Sequence, residues 1–174
     1  MLSIEQAIYY KYLLICGYTD EFEQYIIAAL DEEDPLSDIT LKLTSCGPDL
    51  KQMLTVLNAF ISNVPEEQID YNKVFGLVLT FLRSQYSQEK MTMENLTDLM
   101  YRISVLTEKD MENPWATMNV IGKLYSEACT GYISMDSYMD AFEKFINEGI
   151  CMEFHNIRTT QRGRSFLKSF LLKF

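Results

Sequence analysis

The sequence contains one histidine, His155, and therefore one side chain that titrates near neutral pH without help from its surroundings. Acyl transfer by serine or cysteine needs a base beside the nucleophile. His155 falls in a predicted turn, and no G-x-S-x-G nucleophile elbow occurs around it. Zinc needs histidines and cysteines in clusters, whereas Cys16, Cys46, Cys129 and Cys151 stand singly, with no C-x-x-C pair. Phosphate-cradling loops need closely spaced glycines, and the seven glycines are dispersed. Carboxylates alone can exchange protons, but the 25 acidic residues fall on predicted exposed faces rather than in recognisable pairs. These features predict a non-enzymatic protein with no catalytic residue, no metal ligand and no cofactor.

Charge points to a different kind of chemistry. Residues 1–150 carry ten basic side chains against 24 acidic ones, while residues 151–174 carry five basic side chains against Glu153 alone. An acidic body repels phosphate backbones and steers a basic protein partner. The acids expected to meet such a partner are Asp31, Glu32, Glu33, Asp34, Asp38, Glu66 and Glu67. In the basic tail the candidate contacts are Arg158, Arg162 and Arg164. Eight of the ten methionines lie between Met91 and Met152. Methionine adapts to irregular surfaces, so Met93, Met135 and Met139 are expected to be partly exposed, with Met100 in the core.

The elements that must carry these residues are helices. Only seven glycines and four prolines interrupt 174 residues, which suits long helices better than many short strands. Ser3 opens a helix with Ile4, Ala7, Ile8 and Ile15 on one face, and Gly17 stops it. Thr19 or Asp20 starts a second, where Phe22, Ile26, Ala29 and Leu30 recur at helical spacing. The run Asp31-Glu32-Glu33-Asp34 ends it. Acid opposes the macrodipole at a helix C-terminus, so this run is expected to fray into solvent. Ser37 and Asp38 start a short third helix. After Gly47-Pro48-Asp49 a fourth carries the core stripe Leu50, Met53, Leu54, Leu57, Phe60 and Ile61.

A duplication follows. Residues 74–103 lie on 116–145 when shifted by 42 positions. Thr92 matches Ser134 as a cap, and Leu96, Leu99, Met100 and Ile103 match Tyr138, Ala141, Phe142 and Phe145 on one helical face. The period lies in the range of paired-helix repeats. The fold class is thus all-α, a compact stack of helical hairpins with eight or nine helices. Residues 1–150 form the helical domain, and 151–174 a basic segment with a small β-hairpin and a closing helix packed on it. Unpaired cysteines fit a reduced, cytoplasmic setting. The apolar run 74–82 is too short to span a bilayer.

Three resemblances accompany this reading. Gly131-Tyr132-Ile133-Ser134 resembles the centre of an EF-hand loop, but the positions that supply calcium ligands hold Ser126, Ala128, Thr130 and Ser137, and none is a carboxylate. Gly131 is better placed as a helix C-cap. Phe145-Ile146-Asn147-Glu148-Gly149-Ile150 with Arg158-Thr159-Thr160-Gln161-Arg162-Gly163-Arg164-Ser165-Phe166-Leu167 resembles the end of a winged-helix domain. That resemblance implies a β-wing and, as an alternative function, nucleic-acid binding through the tail. The helix that would enter the groove shows Met135, Asp136, Asp140 and Glu143 with only Lys144, a poor match to a phosphate backbone. Around Leu36-Ser37-Asp38-Ile39-Thr40-Leu41-Lys42-Leu43 the chain resembles small acidic all-helical bacterial proteins, including toxin-immunity proteins. That resemblance implies a protein-interaction module that occludes a basic partner.

Overall fold

The computed structural model describes residues 1–152. Among them are eight α-helices: α1 (Ile4–Ile15), α2 (Asp20–Glu32), α3 (Asp38–Ser45), α4 (Leu50–Ile61), α5 (Tyr71–Ser87), α6 (Met93–Leu106), α7 (Trp115–Cys129) and α8 (Met135–Glu143). A 3-10 turn (Glu66–Gln68) precedes α5, and a π turn (Lys144–Glu148) continues α8. No strand occurs among the described residues. The expected hairpin and closing helix fall, from residue 153 onward, outside them. The chain divides into two units between Val78 and Leu79, within α5.

In the first unit, Ser3 and Gln6 form a reciprocal capping box on α1, with bonds of 3.0 and 3.1 Å. The helix buries Ala7, Ile8, Tyr9, Tyr10, Tyr12, Leu13 and Leu14, while Ile15 is exposed. This is wider than the single stripe expected, because α1 packs against both α2 and α4, and a helix apolar on most sides is one covered on most sides. Tyr10 meets Phe22 edge-on with ring centroids 5.5 Å apart. Asp49 caps α4 by accepting from the Gln52 amide at 3.0 Å. The apolar stripe of α4 is less covered than its pattern suggests. Leu57 alone is buried, Leu50 is exposed, and Met53, Leu54, Phe60 and Ile61 are half-buried. Leu30 on α2, also expected in the core, is 47% exposed.

In the second unit the 42-residue offset is kept at the level of single backbone bonds. Between the copies, α5 and α7 end at Ser87 and Cys129, and α6 and α8 begin at Met93 and Met135. Thr92 and Ser134 cap the second helices, accepting from the amides of Asn95 and Ser137 at 3.2 and 3.5 Å. The first helices close alike: the amides of Lys90 and Tyr132 donate to the carbonyls of Gln85 and Glu127 at 3.0 and 2.9 Å. That closure puts Glu89 at φ 52° and Gly131 at φ 76°, the left-handed residue of a helix stop. The eight matched core positions Leu96, Leu99, Met100, Ile103, Tyr138, Ala141, Phe142 and Phe145 are all buried.

The left-handed pair makes an internal control. A side chain at positive φ costs roughly 1–2 kcal/mol, and a Cβ on Gly131 would meet nothing within 4 Å. Glu89→Gly should therefore raise stability by about 1 kcal/mol and Gly131→Ala lower it by about the same. Urea unfolding of the two variants checks this, and shifts of the same sign would contradict it.

The copies differ at their ends. α6 remains α-helical to Leu106, whereas the matched segment widens into the π turn. There the Arg83 Nε donates to the Ile146 carbonyl, one of the last carbonyls of a helix, which have no partner within it. Tyr86 sets its ring edge on Phe142 at 5.1 Å. Beyond Gly149 (φ 73°), Met152 is held by α7 and the loop before it. Its amide donates to Thr117 Oγ1 at 2.9 Å, and its carbonyl accepts from Asn113 Nδ2 at 2.8 Å.

Candidate partner-binding cleft

A cleft of about 880 Å³ opens in the first unit between the start of the chain, the α2–α3 turn, α3 and α4. Its lining is mainly apolar, with Leu2, Leu36, Ile39, Val56, Ala59 and Phe60, and its charged residues are Glu33, Asp34, Asp38 and Lys42. The under-covered flank of α4 forms one wall. Val56, Ala59 and Phe60 recur there at helical spacing, with Val56 and Phe60 half-buried and Ala59 exposed.

Of the seven acids expected to meet a partner, three line the cleft. Asp34 and Asp38 are exposed and give it a negative edge. Glu33 is part of its fabric, only 11% exposed. Asp31 and Glu32 are exposed on the last turn of α2, and Glu66 and Glu67 are exposed on the 3-10 turn; none of these four lines the cleft. Arg158, Arg162 and Arg164 lie outside the described residues. Met135 is 39% exposed, and Met93 and Met139 are half-buried.

Glu33 corrects the expectation of a frayed acidic run. The helix stops one residue earlier, at Glu32, and Glu33 is the C-cap in extended conformation. Its carboxylate turns forward to the N-terminus of α3. Oε2 accepts from the Ser37 amide at 3.0 Å, the Ser37 hydroxyl at 2.9 Å and the Thr40 hydroxyl at 2.9 Å. Ser37 in turn accepts from the Thr40 amide as the cap of α3. The macrodipole that disfavours an acid at the end of one helix favours it at the start of the next. Oε1 is paired with the Met1 ammonium at 2.9 Å.

This arrangement holds the carboxylate ionised. The Ser37 amide first, then the Met1 ammonium and the hydroxyls of Ser37 and Thr40, outweigh the opposing effect of burial and bring the Glu33 pKa from 4.5 down to about 2. A carboxylate with a depressed pKa contributes stability above its unfolded pKa, and the contribution is lost as pH falls through the folded value. Acid should therefore erode stability through this group between 4.5 and about 2. In Glu33→Gln, which cannot ionise, the slope of stability against pH in that window should flatten. An unchanged slope in urea unfolding at stepped pH would rule the group out.

The α4 residues Val56 and Ala59 were not legible as site residues. The signal was present as an amphipathic helix, but its period does not say which flank goes uncovered. Among the described residues no group of three or more His, Cys, Asp or Glu side chains could hold a metal ion. No described helix is long and apolar enough to cross a membrane. Cys16, Cys46, Cys129 and Cys151 form no disulfide with one another. Comparison of the chain with protein-family models, with curated proteins and with solved structures found no match.

Proposed function

We propose that the protein is a non-enzymatic protein-interaction module that takes a basic, amphipathic segment of a partner in the cleft of its first unit. The observation that carries this reading is the lining of the cleft, an apolar surface from α3 and α4 with Glu33, Asp34 and Asp38 beside it. Apolar contact supplies affinity, and the carboxylates select the sign of the partner's charge and speed its arrival. The resemblance to toxin-immunity proteins suggests the use, occlusion of a basic toxin by occupying its positive surface. The four singly spaced cysteines suit a reducing cytoplasm for this work.

The test uses two synthetic helical peptides with the same leucine face, one with lysines and one with glutamates on the other face. The lysine peptide should bind, more weakly at about 300 mM than at about 50 mM salt. Ala59→Arg, which puts a long cation into the cleft from an exposed position, should remove that binding. Equal binding of both peptides, or none of either at low salt, would end this reading.

A further inference from the structure

We infer that Glu33 is a lysine-recognising group, and that the cleft prefers a lysine to an arginine at the position beside it. This rests on the reading of the cleft as a site for a basic segment and specifies which cation it takes.

The two oxygens of Glu33 have different work. Oε2 receives three hydrogen bonds from Ser37 and Thr40, which fills the sites a carboxylate oxygen offers within the protein. Oε1 is buried, and its partner is an ammonium, that of Met1 at 2.9 Å. The site thus already holds the chemical group proposed for it, and Met1 and Glu33 both line the cleft. The side chain is fixed before any partner arrives, so binding a cation there costs little further ordering.

The oxygen held by the Met1 ammonium discriminates between cations. A lysine ammonium is a compact point charge that needs a single acceptor, whereas the arginine fork is best met by both oxygens of a carboxylate in its plane. Serine and threonine hydroxyls occupy the second oxygen, so the fork cannot be matched without breaking the cap of α3.

The resident ammonium is also exchangeable. Met1 is 90% exposed while Leu2 is 3% exposed, so the chain is anchored at Leu2 and the first residue is held chiefly through its amine. An incoming lysine displaces a lightly held group of the same kind, and the Met1 ammonium acts as a competitor within the molecule.

The experiment measures the affinities of three forms of the protein by fluorescence anisotropy at low salt, using the leucine–lysine peptide and its leucine–arginine counterpart. The wild type should bind the lysine peptide about tenfold more tightly, the worth of one charge-assisted hydrogen bond. Glu33→Gln should bind the two alike. Protein acetylated at the Met1 amine, with every side chain unchanged, should bind the lysine peptide about two- to fivefold more tightly than the free-amine form, the strength of an exposed ion pair. This second measurement decides the matter if Glu33→Gln does not fold. Equal or tighter binding of the arginine peptide by the wild type, or no effect of acetylation, overturns the lysine assignment while leaving the cleft as a site for basic segments. Failure of both peptides to bind overturns the assignment together with the reading beneath it.

Discussion

Gly122→Ala is expected to destabilise the protein by about 1–3 kcal/mol, the usual cost of forcing atoms into a filled interface. A Cβ at that position would lie 2.8 Å from the Thr97 carbonyl oxygen, 2.9 Å from the Tyr101 amide nitrogen and 3.0 Å from the Tyr101 Cβ. Two of these are backbone atoms of α6, and backbone cannot rotate aside as a flexible side chain can. The helices α6 and α7 would have to separate, loosening Leu96, Met100 and Ile103 on one and Ile121 and Leu124 on the other, all buried. Helix propensity pulls the opposite way, since alanine is preferred to glycine by about 1 kcal/mol within a helix. Gly76, inside α5, isolates that effect. A Cβ there would meet nothing within 4 Å, so Gly76→Ala should stabilise by about 0.5–1 kcal/mol. The pair of variants, unfolded in urea, should move in opposite directions, and a gain in stability from Gly122→Ala would show that the helices are not in such close contact.

Thr117→Val should cost about 1–3 kcal/mol, although the two side chains have nearly the same shape, because it leaves a buried donor unpaired. Thr117 is fully buried. Its hydroxyl donates to Asn113 Oδ1 at 2.8 Å and accepts from the Met152 amide at 2.9 Å. Asn113 closes the ring by donating to the Met152 carbonyl at 2.8 Å. Valine would strand the Met152 amide and remove the partner that orients Asn113. Thr117→Ser keeps the hydroxyl and should lose much less. Amide exchange at Met152 reports the local effect: fast in Thr117→Val and slow in Thr117→Ser. Protection retained in the valine variant would show that this ring does not hold the chain.

The repeat was the most legible feature because caps and core positions are chemically narrow. Only a few side chains cap a helix, as Thr92 and Ser134 do, and only apolar ones fill an i, i+3, i+4, i+7 face, so duplication survives at those positions after it has faded elsewhere. Glycine helped as well, since Gly131 marks a left-handed stop that its partner Glu89 conceals. The cleft was much less legible. Periodicity identified α4 as amphipathic, yet it could not show that Leu57 is buried while Val56, Ala59 and Phe60 line an open cleft. The acidic run was misread for a related reason. The macrodipole rule was applied to the helix that Glu33 follows, whereas its carboxylate serves the helix that comes next. Sequence order does not reveal which of two adjacent helix ends a flexible carboxylate will choose. Asp34 and Asp38 line the cleft, while Glu66 and Glu67, on the 3-10 turn that follows α4, do not.

The measurement that tests the central claim most directly is a residue-by-residue map of where a basic segment lands. Adding the leucine–lysine peptide to isotopically labelled protein should shift the amide resonances of residues 34–39 and of Val56, Ala59 and Phe60, with those of Glu66 and Glu67 unmoved. Shifts confined to other helices, or none at peptide concentrations that bind, would contradict the assignment of this cleft as the partner site.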